Sequence, residues 1–289
     1  VILLAGDVVD DIGVLPLEPV TPHSDTRSQI RMTAGGSAAN SAAWLGFLGA
    51  KARFFGKVGS DGFGRHGEAL REHHVDPRLA LDPTLPTATI VLTLDEQGDR
   101  TMFVDRAANS TLTVDDISED LFDDVNWLHL TGYTFFDPAT RPVALELIAR
   151  AKKLGISVSV DPSTTAFLRE VTPEVFIEWT QGVDLLMPNL EEARLLVGAT
   201  GPFVDFEALA ELYPHVVVTL GSMGAAYVSK TVREQVAAAR VQVVDTTGAG
   251  DAFTAGFLAA WTERPDPKTA LAAGIGSASR CVQQRGARP

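Results

Sequence analysis

The chain has 289 residues, 45% hydrophobic and 21% charged, with a formal net charge of -13. That is ample apolar material for one large domain or two ordinary ones, and a charge that argues against nucleic acid or an anionic membrane as partner. The lone cysteine, Cys281, excludes an intramolecular disulfide, and there is no Cys/His spacing for zinc.

His73 and His74 adjoin but lack partners at metal-ligand spacing and read as surface side chains. No apolar run approaches the roughly 20 residues that span a bilayer. The apolar start, Val1 to Asp7, is short, has no basic leader, and does not read as a signal peptide. The expected compartment is the reducing cytoplasm. The missing initiator Met and the end at Pro289 lead to the expectation of further residues at both ends.

In chain order, short apolar runs end in polar or Gly-rich residues: Val1–Ala5, Ala52–Phe55, Trp127–Leu130, Ile156–Val160, Val183–Met187 and Val216–Leu220. Runs of this length suit strands buried on both faces, as a parallel sheet requires. Helical patterns lie between them. Ser37–Leu48 is closed by Gly49. Pro138–Leu154 is closed by Gly155 and has Val143, Leu147, Ile148 and Ala151 at helical spacing. This alternation predicts an α/β fold, a three-layer αβα arrangement around a doubly wound, mostly parallel sheet, in a single domain over residues 1–289.

Two stretches break the rhythm, from about 12 to 33 and from about 85 to 106. The second has a β-branched run, Thr87–Leu94, a turn at Asp95–Asp99, and a further run at Thr101–Val104. These predict an inserted hairpin. Together the two stretches read as a small β-sheet lid over one end of the main sheet. A hairpin that merely packs on the surface is the plainer alternative. Chemistry is expected on loops beyond the C-terminal ends of the parallel strands.

The strongest local signal is Asp245-Thr246-Thr247-Gly248-Ala249-Gly250-Asp251, followed by Phe253, Phe257, Leu258 and Trp261 at helical spacing. A Gly-Ala-Gly turn entering a helix leaves backbone N–H groups unpaired, and small residues let a ligand approach them. With the helix dipole, these groups cradle an anion such as a transferring phosphoryl group. Asp251, in the first turn, is placed to accept a proton from an attacking hydroxyl. An acidic residue is favoured in a first helical turn in any case, and the glycines alone would also suit a tight turn.

Asp245–Asp251 resembles the C-terminal signature of the ribokinase-like, phosphofructokinase-B-type carbohydrate kinases. Gly35-Gly36-Ser37-Ala38-Ala39-Asn40, followed by the segment Gly56–Gly64, resembles that family's first signature. Met187-Pro188-Asn189-Leu190-Glu191-Glu192-Ala193 is similar to its Asn-x-x-Glu segment, and Thr219-Leu220-Gly221-Ser222-Met223-Gly224 to its nucleotide loop. The four motifs stand in the family's order and span nearly the whole chain.

The resemblance implies an ATP-dependent kinase that phosphorylates an alcohol of a small sugar or sugar derivative. Asp251 would be the base, and Gly248, Ala249 and Gly250 the anion hole. Asn189 and Glu192 would organise Mg2+ and the phosphates, Glu192 through water; their spacing is also that of a capping box. Thr219, Gly221 and Gly224 would line the nucleotide pocket, or simply form a turn. Asp245 and Thr247 match positions that hold K+ in many members, although Asp245 also suits an Asx turn. Asp11, Gly36 and Asn40 match the sugar ligands, and an adjacent carboxylate and amide suit a polyol. Arg106 and Asn109, after the lid hairpin, would close over the substrate, or serve as solvated hinge residues. Asp61 reads as a turn or cap residue.

Other phosphate signatures fit less well. A Walker motif would need Gly at position 51 and Ser or Thr at 58, where Lys51 and Val58 stand. Gly62-Phe63-Gly64-Arg65-His66-Gly67 matches the dinucleotide fingerprint, with Asp82 downstream, but the stretch reaching Asp82 is turn-rich and shows no clean strand. Val9 stands where some sugar kinases carry a polar residue, so the resemblance does not rank ribose, fructose, a keto-deoxy sugar acid or a nucleoside. A nucleoside kinase on the same fold and a non-catalytic sugar- or nucleotide-binding regulator are the alternatives. The open lid edge leads to the expectation of a homodimer through the lid.

Overall fold

In the computed structural model, which describes residues 1–94, 100–201 and 204–289, the first half of the chain opens with three strands before helices begin to alternate with strands. It runs β1 (Ile2–Ala5), β2 (Val9–Pro16), β3 (Ser28–Gly35), α1 (Ser37–Phe47), β4 (Ala52–Gly59), α2 (Phe63–Glu72), β5 (Val75–Asp82), β6 (Thr89–Leu94) and β7 (Arg100–Asp105). Short 3-10 turns lead to β8 (Trp127–Thr131), α3 (Tyr133–Phe136), α4 (Arg141–Lys153), β9 (Ser157–Asp161), α5 (Thr165–Val171) and α6 (Pro173–Trp179). The rest comprises β10 (Leu185–Leu186), α7 (Leu190–Leu196), α8 (Phe206–Leu212), β11 (His215–Thr219), β12 (Ala225–Val228), β13 (Arg233–Val236), α9 (Ala249–Glu263) and α10 (Pro267–Cys281).

Among the described residues the main sheet has nine strands in the order β13-β12-β11-β10-β9-β8-β1-β4-β5. It is parallel from β11 through β5, and β12 and β13 add antiparallel. Each central strand feeds two cores. In β1, Ile2 and Leu4 pack towards α1 and α9, while Leu3 and Ala5 pack towards the layer that includes α4. This two-sided burial is why the strands read as unbroken apolar runs. Among the described residues, no helix is long and apolar enough to cross a membrane.

Some boundaries differ from the sequence reading for physical reasons. β4 continues to Gly59 because the charge of Lys57 is neutralised by Asp116, 2.9 Å away. The stretch around Pro77, read as turn-rich, is strand β5. As an edge strand it tolerates a proline that lacks a donor. α4 begins at Arg141, three residues after Pro138, because Asp137 first forms a turn, accepting from Ala139 N at 2.9 Å and Thr140 N at 3.2 Å.

The lid is a separate four-stranded sheet, β3-β2-β6-β7. It starts at Val9 and its second strand ends at Gly35, slightly beyond the expected limits. The expected turn Asp95–Asp99 lies outside the described residues. The lid is tied to the body by Asp10, which is buried. It pairs with Arg65 and with His66, whose Nε2 lies 3.0 Å from Asp10 Oδ1.

Candidate active site

The segment before α9 is built for close approach. Gly248 caps the helix in the left-handed region, with φ of 77°. A side chain there would also meet Ala287, whose Cα lies 2.6 Å from the position a Cβ would take. Only glycine meets both demands. A Cβ added at Gly250 would find open space. The Gly250 and Asp251 N–H groups have no acceptor among the described residues, whereas Ala252 N already bonds Gly248 O at 2.9 Å. These are the orphan donors of a helix N-terminus, facing room for an anion.

Asp251 is gripped from α1. Ser37 Oγ donates to Oδ1 at 2.7 Å, Asn40 Nδ2 donates to Oδ2 at 3.0 Å, and Ser41 Oγ reaches the Asp251 carbonyl at 3.2 Å. Burial pushes the Asp251 carboxyl up to about 6; the bonds from Ser37 and Asn40 oppose the rise, as does Arg288, while Asp11 adds to it. A carboxylate of that strength is ionised at neutral pH yet basic enough to take a proton.

The residues expected to hold the sugar gather around it. Asp11, on β2, lies over Gly35, where any side chain would collide with its carboxylate. Burial pushes Asp11 up to about 6, with Arg288 opposing and Asp10 adding. Gly36 has φ of 96°, and a side chain there would strike the backbone of Asp7 and Val8. Asn40 is buried and accepts from Arg288 Nε at 3.1 Å.

Asn189, Glu192 and Thr219 sit along the same C-terminal edge of the sheet. Asn189 Oδ1 accepts from the N–H groups of Glu191 and Glu192 at 3.0 and 2.9 Å. Glu192 Oε2 accepts from Asn189 N at 2.9 Å, which completes a capping box. Asn189 bridges to Thr219, and Gly221 and Gly224 shape the turn beyond it, with φ of 59° and 101°. Glu192 is pushed up to about 7 by burial, against the bonds from Asn189. Asp161, at the end of β9, is held well above the usual carboxylate range by burial, with Glu192 and Asp251 adding to it. Tyr133 is raised by burial and then by Asp161, Asp251, Asp7 and Glu192, which places its phenol among the carboxylates of both halves.

The remaining expected residues lie at the margins. Asp245 Oδ1 accepts from Thr247 N at 2.9 Å and Thr247 Oγ1 at 2.7 Å, and its Oδ2 from Gly286 N at 3.2 Å. This is an Asx turn that also anchors the chain after α10. Arg106 makes two bonds to Asp7, at 3.0 and 3.1 Å, and an ion pair with Asp137 at 3.3 Å. Asn109 is buried and donates to Val8 O at 3.2 Å. Both stand at the hinge between β1 and the lid. Asp61 receives Thr87, as a turn residue would. Asp82 accepts from Thr84, Leu85 and Thr111, so its carboxylate is engaged locally.

Sequence reasoning missed Ser37, Tyr133, Asp161 and Arg288. Ser37 stands inside a recognised motif, and Asp161 directly follows the expected strand Ile156–Val160 at the edge where chemistry is expected; those two signals were available. Arg288 reaches the site only through tertiary structure.

Comparison with known proteins places this geometry in context. The family described as pfkB family carbohydrate kinase matches residues 4–289. A fructokinase of Vibrio alginolyticus is 30% identical over 298 residues, covering 98% of this chain and 93% of the relative. Among solved structures, a fructokinase from Vibrio cholerae with fructose, ADP and calcium ion bound superposes with a TM-score of 0.84 at 29% identity, covering 99% of this chain and 94% of that one. An adenosine kinase from Sinorhizobium meliloti gives a TM-score of 0.88 at 26% identity, covering 100% and 95%.

Proposed function

We propose, for a chain that belongs to the pfkB family of carbohydrate kinases, phosphotransferases with an alcohol acceptor, that it transfers the γ-phosphoryl group of ATP to a hydroxyl of a small sugar or sugar derivative. The observation that carries this is the pairing of a half-buried carboxylate, Asp251, with the unpartnered N–H groups of Gly250 and of Asp251 itself, beside open space at Gly250.

Asp251 takes the proton of the attacking hydroxyl. Its two oxygens each hold one donor, from Ser37 and Asn40, so the carboxylate is fixed and a lone pair remains for the substrate. Asp11 and Asn40 position the polyol, and the Gly248-Ala249-Gly250 turn steadies charge on the transferring group. Thr219, Gly221 and Gly224 shape the nucleotide side. Gly36 keeps the entry to α1 close to Asp7, and Arg106 and Asn109 hold the lid hinge. The lid excludes water.

At the nucleotide side burial raises the proton affinity of both Glu192 and Asp161, and the charge of Glu192 raises that of Asp161 further, a charge that a cation would relieve. Mg2+ fits there through water, with Asn189 and Glu192 organising it, and would draw charge off the phosphates. K+ at Asp245 and Thr247 is the further cation in this reading; turnover in sodium against potassium buffers tests it.

Fructose heads the acceptor class, supported by the relatives named fructokinase. The adenosine kinase likeness keeps nucleosides among the acceptors to test. For assembly we favour a homodimer through the lid. The lid register sets Ile30, Met32 and Phe103 on one face, exposed to 66%, 56% and 60%. A monomeric mass by light scattering at micromolar protein would sink the dimer.

The test of activity is ADP release from MgATP with pentoses, hexoses, sugar acids and nucleosides, with Asp251→Asn as control. Acceptor-dependent turnover lost in the control supports the reading; ATP binding without turnover on any acceptor refutes it.

A further inference from the structure

The acceptor side holds one cation that the proposed chemistry does not use. Arg288 enters from the segment after α10, and its Nε donates to Asn40 Oδ1 at 3.1 Å while Nη2 donates to Gly35 O at 3.0 Å. Nη1 is buried and has no hydrogen-bond partner among the described residues. A guanidinium N–H left unpaired in a buried place is costly, so an oxygen is expected to complete it.

Asn40 links this cation to the base. An amide has one accepting end and one donating end. With Arg288 on its oxygen, the Asn40 NH2 group must face outward to Asp251 Oδ2, 3.0 Å away. The reversed amide would set its carbonyl against the Asp251 carboxylate and its NH2 against the guanidinium. The charges around the guanidinium agree with its position: Asp11 from β2 and Asp251 from α9 both stabilise its positive form, and burial opposes them, bringing Arg288 down to about 10. His66 and His73, from the α2 side, lose proton affinity through burial first, and the charge of Arg288 lowers it further.

We infer that Arg288 is a positioning and acceptor-reading residue, which locks the Asn40 amide against Asp251 and offers Nη1 to an oxygen of the bound sugar. The inference rests on the kinase reading above. A guanidinium only donates, so the group it reads is a hydroxyl, carbonyl or carboxylate oxygen. Nη1 serves the acceptor rather than the nucleotide because the groups around it, Gly35, Asn40 and Asp11, belong to the lid and to α1.

The test compares wild type with Arg288→Met and Arg288→Lys on the same panel of ketoses, aldoses and sugar acids. KM is measured separately for acceptor and MgATP, and acceptor binding is measured by calorimetry. For Arg288→Met the acceptor KM and Kd are expected to rise about 10- to 100-fold, the loss of a charge-assisted bond plus a misplaced amide, with the MgATP KM within about two-fold. Added guanidinium ion is expected to restore part of the loss. Arg288→Lys should recover less than wild type because an ammonium cannot hold Asn40 and Gly35 in one plane. An active wild type whose acceptor KM is unchanged by either substitution overturns the inference and leaves the kinase reading standing. So does a loss shared equally by MgATP and acceptor that guanidinium does not restore. A wild type that neither binds nor phosphorylates any member overturns both.

Discussion

Ser37 Oγ donates to Asp251 Oδ1 at 2.7 Å, joining two residues 214 positions apart in the chain. The bond stabilises the ionised carboxylate, so it holds the proton affinity of Asp251 below what burial alone would set. Activity that needs the ionised base should therefore fall as pH drops through about 6. Ser37→Ala removes a donor to the charged form, so the acid limb of kcat/KM should move to higher pH. The expected shift is about half a unit to one unit, from the net worth of one hydrogen bond to a charged group. A profile with no limb in that region, or a limb unmoved by the substitution, would argue against Asp251 as the base.

The same burial makes Asp251 a liability for stability. Its carboxyl stands at about 6 against an ordinary 3.8. The folded protein thus binds this proton more tightly than the unfolded chain. The stability it contributes is complete below the ordinary value and is lost as pH rises through about 6. Asp251→Asn should remove that loss, with a gain of about 1–3 kcal/mol at pH 8 that fades towards pH 4. Its kcat should drop about 10²- to 10⁴-fold, the range for a general base. Urea melts at the two pH values, set beside turnover, check both halves.

The parts of this molecule that were legible in its sequence are those written in local pattern. β1 and β9 declare themselves by short apolar runs, because burial on both faces restricts residue choice locally, and the turn into α9 by Gly248, whose φ of 77° favours glycine. β5 was hidden by Pro77, which an edge position tolerates, and the end of β4 by Lys57, whose ion pair with Asp116 no hydropathy pattern records. The boundary of α4 was set by side-chain bonds of Asp137 rather than by periodicity. Arg288 went unseen for a different reason. Its environment is made by carboxylates brought from a distant strand and helix, and such proximity leaves no spacing to read.

Gly248 and Gly250 should separate cleanly. Gly248→Ala meets a left-handed φ of 77° and Ala287 at 2.6 Å. The backbone strain alone costs about 1–2 kcal/mol, and the collision adds to it. The variant should melt earlier and lose turnover. Gly250→Ala has open space and lies in the helix, where alanine is favoured by about 1 kcal/mol. It should keep or gain stability while kcat falls, because the methyl group intrudes on the room for the phosphoryl group. Equal kcat in wild type and Gly250→Ala would show that this space is not used.

Glu192 combines a cap with a charge, and substitution can part them. Gln keeps an oxygen for Asn189 N, now 2.9 Å from Glu192 Oε2, so the capping box survives. Only the charge is removed. Glu192→Gln should melt no earlier than wild type, and later above pH 7 where the burial-raised carboxyl is ionised, while the KM for MgATP rises and kcat falls, together about 10- to 100-fold in kcat/KM. Chelation with EDTA should abolish turnover in both proteins, and excess Mg2+ should restore it. An unchanged MgATP dependence in Glu192→Gln would confine this residue to capping.

Asp10 and Asp11 are neighbours on β2 and so face opposite sides of the lid. Asp10 turns towards α2, where it takes a two-point pair from Arg65 and a contact from the buried His66 at 3.0 Å from Nε2. Asp11 turns towards Asp251. The first residue therefore fixes the strand that aims the second. Asp10→Asn leaves Arg65 without its anion. Because Arg65 is 40% exposed, water offsets part of the loss, and the expected cost is about 1–3 kcal/mol rather than that of a fully buried pair. With the clasp loosened, Asp11 should spend less time in reach of the acceptor, so the acceptor KM should rise several-fold while the MgATP KM holds. Paired thermal melts and two-substrate kinetics measure the two effects. A drop in melting temperature without a change in acceptor KM would mean that the clasp stabilises the fold but does not aim the lid.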